Sequence, residues 1–215
     1  MTTSESDDPQ KAERFRAHRF PFGPYQSAIE QEATRLRVHV GASDFEYLAL
    51  EHAVTCLPNC EVLGLRHVPG MTLQILSYAR TEAYDRFGAF ARRDGDAIQI
   101  VFNDAHHPHT IRVNVMEELF HVRLGHKPDI VTLVPSNGRF RTHDANRERE
   151  AYGCAIAALV PYAGLRAMLA HQMHLLRIAE HFAVTVDVVQ ERIAGTNLGE
   201  LMNTQLRGFA LEAQF

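Results

Sequence analysis

Thirteen residues near the middle of the chain, Asn114-Val-Met-Glu-Glu-Leu-Phe-His-Val-Arg-Leu-Gly-His126, constrain its fold more than any other stretch. On a helix, Glu117 and His121 are separated by only about 40° around the axis, so both side chains lie on one face. Glu118 stands about 60° from His121 on the other side, within reach of a molecule held at that face. Val115, Leu119 and Val122 cover another stripe and give the helix an apolar side to bury. By itself a Glu-Glu pair is most often a solvated face, and a single histidine most often a packed or capping one. The rest of the chain decides between that reading and a chemical one.

Composition narrows the class. The chain has 215 residues, room for one medium domain with an appendage and ample core. Its hydrophobic fraction of 46% and charged fraction of 22% are ordinary for a globular protein. A net charge of −4 offers no general attraction to nucleic acid or anionic membranes. No apolar run approaches the roughly 20 residues of a membrane span, and Met1 to Arg19 lacks the apolar segment of a secretory signal, so a cytoplasmic location is expected. Cys56, Cys60 and Cys154 form neither a disulfide framework nor a CxxC zinc knuckle.

Along the chain, residues 1–24 read as a disordered or extended tail, rich in Ser, Thr, Asp and Glu at its start. The periodicity predicts a helix over Ala28–Val38. A second is expected from Ser43 to Cys56, with Ser43 and Glu46 spaced as a capping box. A short strand is expected within Cys60–Val68 and a helix within Met71–Ala83. Phe87–Arg92 and Ala97–Phe102 flank Asp94-Gly95, a strong hairpin signal. The polar loop carrying His106, His107 and His109 then leads into the motif helix, which Thr110 begins and Gly125 closes. A second hairpin is expected around Pro135-Ser-Asn-Gly138, and a helix rich in small residues from Ala145 to Val160, stopped by Pro161.

Two ligands at i and i+4 with a glutamate between them are the layout of H-E-x-x-H metallopeptidases, although here the first position is Glu117 and the motif reads E-E-x-x-H. The order of parts goes further. A hairpin, a strand ending in Asn103, a motif helix ending Leu124-Gly-His126, then Glu148-x-Glu150-Ala and Ala157-Ala-Leu-Val-Pro161 resemble the ImmA/IrrE family of metallopeptidases. Ile178-Ala-Glu-His-Phe-Ala-Val-Thr185 and Val188-Val-Gln-Glu-Arg192-Ile fit as well, so the likeness covers roughly residues 25–198. It implies an α+β, zincin-like fold with a small antiparallel-rich sheet, spanning residues 25–165, and a helical segment over 166–215 packed on it. It also implies one divalent metal ion, zinc first and manganese or iron as alternatives. By this likeness Glu117, His121 and Glu150 are the ligands, with Glu148 as the alternative third ligand, and Glu118 is the general base. The implied partner is a protein substrate, a helix-turn-helix repressor.

The one departure from the family pattern is Glu117, where the pattern has histidine. A His-His-Glu site around a divalent cation carries +1; Glu-His-Glu carries zero. The less positive centre polarises a carbonyl less and shifts preference toward harder ions. Two functional classes follow: an attenuated metalloendopeptidase, or a non-catalytic regulator that binds a partner through the same cleft. A DNA-binding regulator is the weaker third. The helices Leu175–Phe182 and Val186–Ile193, joined at Ala183-Val184 with Thr185 as cap, suggest a helix-turn-helix, yet His171–Gly199 holds two arginines against three acidic residues, a poor match to phosphate. A di-iron carboxylate reading fails because it needs E-x-x-H on two helices.

Overall fold

The computed structural model describes residues 22–85, 87–126 and 144–201. The expected hairpin around Pro135–Gly138 and the tail before residue 22 lie outside them. The chain divides into two compact units, one of residues 49–156 and one that joins the start of the chain to residues from 157 on.

Within the first unit, α2 (Leu50–Val54) leads to β1 (Cys60–Gly64), and α3 (Leu73–Arg80) precedes β2 (Ala89–Asp94) and β3 (Ala97–Phe102). The sheet order is β1-β3-β2, with β1 parallel and β2 antiparallel to β3, so the sheet is mixed. β3 takes the centre because it is the most apolar strand, and its Ile100 and Val101 are fully buried. Asp94 pairs with Ala97, which leaves Gly95-Asp96 as the tight turn, one residue later than the dipeptide signal, with Gly95 at φ 62°. Leu65, Val68, Ala79, Ala83, Phe87 and Val101 form one core cluster. The motif helix α4 (Pro108–Arg123) packs on β2 and β3. Val113, Val115, Met116, Leu119 and Phe120 are its buried apolar residues. Its partner α5 (Ala145–Leu159) starts in this unit, with Asp144 Oδ1 accepting from the Asn146 and Arg147 amides as a cap.

Cys56 and Cys60 flank the turn into β1 as free thiols. Burial, then the neighbouring Cys56, pushes the Cys60 thiol up to about 11. At pH 8 about a thousandth of Cys60 is therefore thiolate. Alkylation of the folded chain should be slow at both residues, Cys56 being raised by burial too. Rapid labelling at pH 8 in the native state contradicts this.

The second unit contains α1 (Pro24–His39), α6 (Tyr162–Ala170), α7 (Leu175–Phe182) and α8 (Val186–Gly195). The α7–α8 pair takes the helix-turn-helix shape expected of it. Ala183 sits at φ 50° between the helices, and Thr185 accepts from the Val188 amide. Its one α8 cation is committed elsewhere. Arg192 is 2% exposed and bound bidentately to Glu30 at 2.6 and 3.1 Å, with its Nε donating to Val160 O at 2.9 Å. Breaking such a pair strands a buried charge. Glu30→Ala should cost about 3–5 kcal/mol in chemical denaturation, against a much smaller loss when Glu30 and Arg192 are both replaced by apolar residues of similar volume.

The helix expected from Ser43 begins only at Leu50. Half of the capping box forms, with the Ser43 amide donating to Glu46 Oε2 at 2.8 Å. However, the buried Arg37 guanidinium donates to the carbonyls of Ser43 and Glu46 and to Ala158 O. In a helix capped at Ser43 these carbonyls would be the first and fourth acceptors; here Arg37 binds both, and Ser43 O accepts the Glu46 amide in a turn. Among the described residues, no single helix is long and apolar enough to cross a membrane.

Candidate metal centre

The loop between β3 and α4 is fixed before the motif begins. Asn103 is 1% exposed; its Nδ2 donates to Ala79 O and Phe87 O, and its Oδ1 accepts from the Ala105 amide. His106 Nε2 lies 2.8 Å from Tyr84 O, so this nitrogen carries the proton. Its Nδ1 then accepts from Asn114 Nδ2 at 3.3 Å. His107 is the N-cap of α4, accepting from the His109 amide, and Pro108 occupies the first turn, two residues earlier than the start at Thr110 read from sequence. His106 and His107 are therefore scaffolding.

From this start, α4 delivers its ionisable face to the beginning of α5. Among the described residues, Glu117, His121 and Glu148 form the group that can hold a metal ion, with ligand atoms all within 4.8 Å of one another. His121 is 9% exposed, and its Nε2 lies 3.4 Å from Glu148 Oε1. Glu117 and Glu148 are partly buried. Glu150, read by resemblance as the third ligand, is placed differently: its Oε2 lies 3.3 Å from His126 Nε2. The carboxylate brought to Glu117 and His121 is that of Glu148, the alternative. Glu148 thus meets His121 itself, and Glu150 meets the neighbouring ring of His126.

Glu118 is 3% exposed, and its Oε2 accepts the Ala91 backbone N–H of β2 at 3.0 Å. A charge-assisted bond from a strand amide fixes the orientation of this carboxylate. Tyr152 follows Glu148 by one turn of α5 and shares its side of that helix.

The sequence reading missed His126. It follows Gly125, whose φ of 69° ends α4 in a left-handed turn. The Gly125 amide donates to Val122 O and the His126 amide to His121 O, the double bond pattern of a Schellman cap. The cap folds the chain back, so that His126 Nδ1 lies 3.0 Å from His121 Nδ1. The visible signal is a histidine immediately after the capping glycine, five residues beyond the candidate ligand.

The donor set fits a divalent cation. Two carboxylates and one imidazole supply hard oxygen and borderline nitrogen donors, and two negative charges packed this closely repel unless a cation lies between them. Zinc, manganese and iron(II) all accept such donors.

No curated protein and no solved structure matches the chain. A family model does: that of Peptidase M78, described as an IrrE N-terminal-like domain, matches residues 75–194. The match takes in more than half of the chain, from α3 through the hairpin, both site helices and most of α8. With its α+β fold and with the helices that carry Glu117, His121 and Glu148 inside the matched region, the chain belongs to the IrrE N-terminal-like Peptidase M78 family, the ImmA/IrrE metallopeptidases.

Proposed function

We propose that the chain is a metal-dependent endopeptidase acting in the cytoplasm on a protein substrate, a repressor of the helix-turn-helix class, at the Glu117–His121–Glu148 cluster. One observation carries this reading: three ligand-capable side chains from α4 and α5 converge within 4.8 Å beside a buried glutamate, in a metallopeptidase family member. Glu117 Oε, His121 Nε2 and Glu148 Oε would hold one divalent ion, zinc first, with manganese or iron(II) as the alternatives. When bound, such an ion supplies Lewis acidity that polarises the scissile carbonyl and acidifies water.

The chain's own residues do the rest. The Ala91 N–H anchors Glu118 through Oε2. The Glu118 carboxylate takes the proton of the attacking water, holds it, and returns it to the departing amide nitrogen. Among the described residues β2 is an outer strand of its sheet, and on its outward side Glu118 holds the Ala91 N–H. The test is incubation with a co-encoded repressor, or with an unfolded protein, with zinc or manganese supplied. Cleavage by wild type is expected.

Glu117 favours a second reading, a non-catalytic regulator that binds its partner in the same cleft. A site with two carboxylates and one imidazole around a divalent cation carries no net charge, and loses part of the electrostatic drive for hydrolysis. Tight partner binding without cleavage by any variant supports this reading over the first.

A further inference from the structure

We propose that Asn114 is a substrate-binding residue, whose side-chain carbonyl accepts a main-chain N–H of the bound protein segment one helical turn before Glu117. The inference rests on the endopeptidase reading above and adds a requirement on the substrate: an unblocked peptide N–H at one fixed place.

Solvent reaches the middle of α4 at few points. From Arg112 to Phe120 every residue is buried except Asn114 and Glu117. These two are neighbours at i and i+3, so a molecule that reaches Glu117 along this helix lies against Asn114 as well. Around the axis Asn114 is also within about 40° of Glu118 and about 20° of His121. It extends the ionisable face of α4 by one turn with a neutral hydrogen-bonding group.

Two neighbours hold that group in one orientation. A Cβ on Gly88, just before β2, would come within 2.5 Å of Asn114 Nδ2 and 2.7 Å of its Cγ. Gly88 is not among the positive-φ glycines, so its backbone does not demand glycine; the missing side chain makes room for the Asn114 carboxamide. On the other side stands His106. Its Nε2 gives its proton to Tyr84 O, which leaves Nδ1 to accept from Asn114 Nδ2 at 3.3 Å. Asn103 Nδ2 also lies 3.5 Å from His106 Nε2, but its two hydrogens already go to Ala79 O and Phe87 O. With Nδ2 turned to His106, Asn114 Oδ1 is left outside that contact and, among the described residues, accepts no hydrogen bond. Bracing the loop against the helix accounts for Nδ2 alone. Oδ1 is a fixed acceptor on a half-buried side chain.

The spacing suits a peptide main chain. An extended segment repeats its same-facing groups every two residues, about 6.6 Å. Asn114 precedes Glu118 by four helical residues, about 6 Å along the axis. With the scissile amide at Glu118, the N–H that meets Oδ1 belongs to a residue two positions away. Every residue except proline offers that donor, so the contact positions the chain without reading side chains.

The test uses the full chain, zinc-loaded, with reduced and carboxymethylated α-lactalbumin as the unfolded substrate. Binding is followed by fluorescence anisotropy in a Glu118→Gln background, and cleavage in wild type. Asn114→Ala should weaken binding and raise KM about 3- to 10-fold, the loss of one neutral hydrogen bond, with kcat within about twofold. Gly88→Ala, which keeps the asparagine but displaces it, should do the same. The shortest lactalbumin fragment that binds is then N-methylated at one backbone position at a time. One position should weaken binding about as much as Asn114→Ala does, and cost nothing further when Asn114→Ala is present. Where wild type cleaves the fragment, that position should lie two residues from the cleaved bond. Methylations that each cost the same with and without Asn114 overturn the proposal. So does an Asn114→Ala chain that loses thermal stability and kcat while keeping its binding, the pattern of a brace alone. Failure of the unfolded protein to bind overturns it too, since main-chain recognition is indifferent to sequence. If the chain binds through Asn114 but cleaves nothing, the peptidase reading fails and this one stands. Cleavage with an unchanged KM in Asn114→Ala does the reverse.

Discussion

Glu118→Gln should lower turnover by about 10²–10⁴-fold while leaving metal content and thermal stability near wild type. The amide keeps the size of the side chain and an oxygen that can accept the Ala91 N–H, so the local fold around the 3.0 Å contact survives. What disappears is the capacity to take a proton from water. The companion variant is Glu117→His, which raises the net charge around a divalent ion from zero to +1. Bound water becomes more acidic and the developing oxyanion better stabilised, so cleavage should rise. Combining Glu117→His with Glu118→Gln should again abolish it. Both measurements are progress curves on one protein substrate at saturating zinc or manganese. Activity that survives Glu118→Gln removes Glu118 from the role of base. An inactive wild type whose Glu117→His variant cleaves would mark a site silenced by that one carboxylate.

Metal content gives the second large effect. Wild type should retain close to one equivalent of a divalent ion after mild dialysis, and His121→Ala should retain almost none. Glu148→Ala should behave like His121→Ala, because Glu148 Oε1 faces His121 Nε2 directly. Glu150→Ala should keep most of the ion, since its carboxylate contacts His126. Elemental analysis of the four proteins, purified in parallel, separates the two α5 glutamates. Retention by Glu148→Ala together with loss in Glu150→Ala would restore Glu150 as the ligand. Retention by His121→Ala would dissolve the site altogether. Restoring an imidazole with Glu117→His should tighten zinc relative to manganese, as imidazole is the better zinc ligand of the two.

Local periodicity determines much of this molecule. The i, i+4 placement of Glu117 and His121 on one face follows from helix geometry alone, as does the burial of Val115 and Leu119 on another. The Gly95 turn, the Thr185 cap and the stop at Pro161 are equally local, each set by the backbone or side-chain chemistry of one residue. The family order of parts could also be read without coordinates, because it is a sequence of such local signals.

Three decisions needed the tertiary structure, and each involves groups far apart in the chain or a phase that sequence leaves open. Helix α5 carries Glu148 and Glu150, and local pattern supplies no way to know which of them meets His121; the packing of α5 brings Glu148 Oε1 to 3.4 Å from His121 Nε2 and Glu150 to His126. Ser43 and Glu46 carry a valid capping signal, yet Arg37 and the carbonyl of Ala158, a residue 121 positions from Arg37, complete a hydrogen-bond set that competes with the helix. His126 gains its place beside His121 from a local cap, but its orientation depends on Glu150, which is 24 residues away. A side chain's own sequence neighbours tell where it can point; only the packed structure determines which partner it meets there.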